Sequence, residues 1–103
     1  MEMINKSKEI ILVQTCGACP EQYDAYYNNE VIGYLRLRHG CFRVDYSKCG
    51  GPTIYVAYPK GDGVFEDDER EYYLKKARKA IKKEYNKQLL EEVIETIARG
   101  VTP

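Results

Sequence analysis

Cys16-Gly17-Ala18-Cys19 is a Cys-x-x-Cys, the spacing that lets two thiolates grip one zinc ion from a turn. A tetrahedral site needs two further ligands, and His39 and Cys41 are the candidates that strand direction can bring to the same end of a sheet. Cys49 is separated from Cys41 by eight positions, roughly 26 Å of extended chain, which argues against a four-cysteine site. The same pair could instead be a thiol–disulfide redox couple. That chemistry favours a helix N-terminus beside the first cysteine, whereas Pro20 and a strand follow here. Small buried cysteines that merely pack like alanine are the bland alternative.

A second constellation is Tyr34, Arg36 and Arg38, placed on one face of a strand by its period of two. Arginine grips phosphate or carboxylate with fixed pairs of donors, and tyrosine offers a flat, half-wet surface. Ten tyrosines against two phenylalanines and no tryptophan is the skew expected of binding surfaces. The bland alternative is a solvated sheet face whose arginines pair across strands to Asp24 or Asp45. Signatures of enzymes are scarce: one histidine, no G-x-S-x-G elbow, no phosphate-binding Walker loop and no H-E-x-x-H. The acids Asp62, Glu66, Asp67, Asp68 and Glu69 fit no EF-hand spacing, and helix capping accounts for them.

The elements that must hold these residues read as an α+β chain. EIILVQTC, QYDAYY, VIGYLRLRHG, CFRVDY and TIYVAY alternate or run apolar as strands, at about residues 9–59. Asn28-Asn29, His39-Gly40 and the Pro59–Gly63 stretch supply turns. None of the connections is long enough for a parallel crossover, so an antiparallel meander of about five strands is expected. Its clearest strands put Leu35 and Leu37 opposite Arg36, and Phe42, Val44 and Tyr46 opposite Arg43 and Asp45. One long C-terminal helix follows over about residues 67–98. Asp68 with Glu71 fits a capping box at its start, and Ala77, Ala80, Ile81, Tyr85, Leu89, Val93 and Ile97 recur at helical spacing.

Unbroken over residues 68–98, such a helix spans about 46 Å, whereas a six-residue strand spans roughly 20 Å. Either it breaks near Asn86, or its second half reaches beyond its own sheet. Leu89, Leu90, Val93, Ile94 and Ile97 still need cover there, so self-association as a dimer or higher oligomer through them is expected.

At 103 residues the chain reads as a single domain over 1–103. Sixteen basic and sixteen acidic residues cancel, so nucleic acid is not an expected partner. No targeting segment or membrane span is visible, which places the expected location in the cytosol, where disulfides are rare.

The strings CGACPEQYD, GYLRLRHG, FRVDY and YPKGDG resemble a family of short proteins of Gram-positive bacteria and their phages or prophages. The resemblance covers roughly residues 10–82 and leaves out the extension after Lys83. It implies a small accessory protein of a mobile element in a host bacterial cytosol, and it assigns no catalytic residue. It also associates the position of Cys41 with other residue types, which counts against the four-ligand zinc site. Taken together, the expectation is a non-enzymatic binding protein without an obligate cofactor: a phage counter-defence factor that sequesters an anionic, nucleotide-like signal or blocks a host defence protein. A zinc-stabilised adaptor touching protein or nucleic acid is the alternative, and a small hydrolase the third.

Overall fold

The computed structural model describes residues 9–18 and 20–100. Five strands, β1 (Ile11–Gly17), β2 (Glu21–Tyr27), β3 (Glu30–Arg38), β4 (Cys41–Asp45) and β5 (Thr53–Ala57), precede one helix, α1 (Asp67–Ala98). The strands form an antiparallel sheet in the order β1-β2-β3-β4-β5, the expected α+β meander. Two tight turns set its register. Asn28 and Asn29 have φ of 52° and 67°, and His39 and Gly40 have 53° and 74°. Positive φ at both central residues gives a turn whose twist matches that of the flanking strands.

Alternation along the strands then sorts the side chains. Tyr23, Ala25, Leu35, Leu37, Phe42 and Val44 are buried on one face, where α1 lays Leu74, Ala77 and Ile81 and the preceding loop adds Phe65. Phe42 is the hub, with ring centroids 5.0 Å from Phe65 and 6.1 Å from both Tyr55 and Tyr73. The helix packs tightly over Gly33, where an added Cβ would lie 2.7 Å from Ile81 Cδ1 and 3.2 Å from the Ala25 Cβ. Gly33→Ala is therefore expected to cost about 1–3 kcal/mol by overpacking, and Ile81→Val, which deletes the clashing methyl, to recover part of it. Urea denaturation of both single variants and the double variant checks this. Simple additivity of the two losses would contradict the contact.

Two buried carboxylates tie the connection between β5 and α1. Glu69 accepts from the backbone N–H groups of Lys60, Gly61 and Glu66, each at 2.9 Å. Burial pushes its pKa up, but these backbone hydrogen bonds outweigh that and hold it below the usual carboxylate range. The capping pattern thus starts at Glu66 with Glu69 reaching back, two residues before the Asp68/Glu71 frame suggested by sequence. Glu21, at the start of β2, meets Arg70 of the helix and the Phe65 backbone N–H.

The helix runs unbroken for 32 residues, about 48 Å, so no break occurs near Asn86. Tyr85, edge-on to Tyr27 with centroids 4.9 Å apart, is its last packed side chain. Every residue from Asn86 to Gly100 is exposed. Among the described residues, no helix is long and apolar enough to cross a membrane.

Candidate functional site

The face of the sheet turned away from α1 is built by the other half of the alternation. Register places Gln22, Arg36, Arg43 and Val56 in one row across β2–β5, and Asp24, Tyr34 and Asp45 in the next. Arg38 and Cys41 pair just before the His39–Gly40 turn. Toward the opposite end, Ile11, Val13 and Val31 are exposed beside Tyr26. The uncovered face is consequently graded, apolar at one end and cationic at the other.

Arg36, Arg38, His39, Cys41 and Arg43 line a shallow depression of about 270 Å³ at the cationic end. A second hollow of about 280 Å³, lined by Pro20, Arg38, His39, Asp62 and Gly63, adjoins it across Arg38 and His39. Arg36 and Arg43 stand directly opposite each other on neighbouring strands. Like charges in that position destabilise a sheet unless something neutralises them. Asp24 and Asp45 are the carboxylates of the next row, and Asp45 is heavily engaged. It accepts from the Thr53 hydroxyl at 2.9 Å and the Gly50 backbone N–H at 3.1 Å, and Arg43 Nε lies 3.1 Å from its Oδ1. The Nε–H is not in line with that oxygen, which leaves a buried donor with no acceptor. Among the described residues, Arg36 and Arg38 form no ion pair.

Tyr34 is half-buried in the next row, and its hydroxyl donates to Gln22 Oε1 at 2.8 Å. Burial pushes that hydroxyl above its usual range; the Cys49 thiol beside it pushes the same way, against the pull of Arg36 and Arg43. The expected ligand set of Tyr34, Arg36 and Arg38 is thus on one face, and Arg43 joins it. The sequence carried the signal for Arg43. A two-residue turn at His39–Gly40 pairs Arg38 with Cys41, and counting back two positions puts Arg36 against Arg43.

The zinc candidates are distributed differently. Cys19 lies outside the described residues. Cys16 pairs with Gln22 at the edge strand β1, while Cys41 is on β4 and His39 in the turn before it. Three strand spacings, roughly 14 Å, separate β1 from β4, far more than two ligands of one tetrahedral ion can span. Cys16 and Cys41 share an end of the sheet, as strand direction requires, but not a site. Among the described residues, no group of three or more His, Cys, Asp or Glu side chains is placed to hold a metal ion. β2, not a helix, follows the Cys-x-x-Cys, so the thiolate-stabilising helix N-terminus of a redox couple is not next in the chain.

The chain matches no family model, no curated protein and no solved structure.

Proposed function

We propose that the uncovered sheet face binds a small anionic ligand, with Arg36, Arg38 and Arg43 gripping a phosphate or carboxylate group and Tyr34 flanking it. The observation that carries this reading is the cross-strand Arg36–Arg43 pair, in which only Arg43 has a carboxylate partner, with Arg38 one row away, around a depression of about 270 Å³. That volume suits one or two phosphate groups. The rest of a nucleotide-like ligand would spread over Tyr34 or into the neighbouring hollow beside His39. The role read here is binding rather than catalysis, in keeping with the scarcity of enzyme signatures in the sequence. The resemblance to phage and prophage proteins gives this binding a setting, a counter-defence factor that withholds an anionic signal from its host.

Calorimetric titration with inorganic phosphate, pyrophosphate and nucleoside mono- and diphosphates tests the reading. Binding is expected to weaken as salt rises. Arg36→Ala or Arg38→Ala should each lower affinity about 10- to 150-fold, the equivalent of about 1.5–3 kcal/mol for a charge-assisted contact. Both residues lie on the face opposite the core, so thermal midpoints should hold or rise slightly as like-charge repulsion is relieved. The proposal fails if none of these anions binds at millimolar concentration, or if both variants bind like the wild type.

A further inference from the structure

The outer side of α1 carries a second pattern, out of phase with the first. At 100° per residue, Leu89, Leu90, Val93, Ile94 and Ile97 are centred roughly 160° around the helix from the core-facing Leu74, Ala77 and Ile81. The tail's apolar stripe therefore faces away from the sheet that its own helix packs on, and no widening of that sheet could cover it. The five side chains are 48–69 % exposed. Followed back toward the N-terminus, the same side presents Lys75, Lys76, Lys79 and Lys83.

We propose that this stripe is the contact surface for a second copy of the chain, two tails pairing antiparallel about a two-fold axis between Val93 and Ile94. In that register Leu90 of one copy meets Ile97 of the other, Val93 meets Ile94, and Leu89 meets Ala98. Such a contact is self-complementary, as a two-fold interface must be. Glu91, Glu92 and Glu95 point to the far side and stay in water. The lysines fix the direction. Parallel pairing would hold the two Lys83 side chains about 10 Å apart, with the rest of both rows alongside, whereas antiparallel pairing separates the Lys83 residues by roughly 30 Å, well beyond the Debye length at physiological salt. The result is a two-helix stem with a sheet domain at each end, both arginine faces left open.

The contact is short. About 14 residues, some 20 Å of helix, bury on the order of 400 Å² per copy, below the standard interface size. A reversible dimer is expected, with a Kd of about 10–100 µM.

Sedimentation equilibrium from about 1 to 500 µM should show the mass rising from 11.9 kDa toward twice that value. Val93→Glu and Ile97→Glu should hold it at 11.9 kDa over the whole range, with unchanged circular dichroism and thermal midpoint at low concentration, since neither residue touches the sheet. Raising salt should change the association little, while small-angle scattering of the dimer should show a particle much longer than the monomer. A wild type that stays monomeric, a mass beyond the dimer, glutamate variants that associate normally, or a dimer no longer than its monomer would each overturn the inference.

Discussion

Phe42→Ala is expected to remove about 3–5 kcal/mol of folding stability, a large share of the roughly 5–15 kcal/mol that a domain usually has. Phe42 has no exposed surface and stands where the sheet, the loop and the helix meet. It faces Phe65 and Tyr73, which stack on each other with centroids 5.7 Å apart, and Tyr55 on the edge strand β5. Truncation would empty the centre of this group, and a rigid sheet beneath a helix anchored at Glu21 and Glu69 can collapse only partly into the space. Edge-to-face ring contacts add to the loss beyond the buried area. Phe42→Leu, which keeps most of the volume, should cost less than half as much. Urea titrations measure both variants, with a shifted midpoint and an unchanged slope as the expected form. A loss below about 1.5 kcal/mol for the alanine variant would show that the aromatic group is not the keystone described. Phe42 also lies between Cys41 and Arg43, whose side chains point to the opposite face. At temperatures where Phe42→Leu stays folded, it should therefore bind anions nearly as the wild type does.

Much of this arrangement was legible in the sequence, because the strands follow period two and their turns announce themselves. Asn28-Asn29 and His39-Gly40 are residue types that accept positive φ, and each fixes a register. From those registers the arginine row follows without any knowledge of the helix. The helix itself misleads, for a geometric reason. Ala77, Ile81, Tyr85, Leu89, Val93 and Ile97 recur every four residues and read as one stripe, yet each step of four residues overshoots a full turn by about 40°. Over five steps the series winds from the core side to the outer side, so its first members are buried and its last are wet. The buried carboxylates were hidden for another reason: their partners are distant in sequence. Glu21 is 49 residues from Arg70, and Glu69 gains its burial from the backbone of Lys60 and Gly61. Nothing in EQYDAYY or DDERE marks those two acids among their exposed neighbours.

Arg70→Ala is the variant that exposes that hidden pair, and its expected cost at neutral pH is about 3–5 kcal/mol, the usual penalty for stranding a buried charge. The Glu21 side chain has 0 % of its surface exposed, against 30 % for Arg70. Arg70 Nε donates to Glu21 Oε2 at 2.8 Å and Nη2 approaches Oε1 at 3.3 Å, while the Tyr23 hydroxyl and the Phe65 backbone N–H, at 2.9 Å, complete the set. Burial pushes the Glu21 pKa up, but the hydrogen bonds from Arg70, Tyr23 and Phe65, with the guanidinium charge, outweigh it and hold the carboxyl below its usual range. The depressed value means that Glu21 stabilises the wild type above the carboxylate's unfolded pKa, and that this contribution fades as pH falls through the folded value. Without Arg70 the balance reverses: burial prevails, the pKa rises, and the folded state prefers a protonated Glu21. The deficit of Arg70→Ala relative to wild type should then be largest near pH 7 and shrink steadily on acidification toward about pH 4–5. Loss of the second ion pair, to Asp67, contributes little, because that side chain is 97 % exposed. Glu21→Gln in the Arg70→Ala background removes the stranded charge and should restore at least about 1 kcal/mol at pH 7, with no such gain in acid. Denaturant midpoints of the three proteins across this pH range decide the matter. A deficit that is small, or equally large at pH 7 and pH 4.5, would mean that Glu21 is held by the sheet alone and that Arg70 is not its counter-charge.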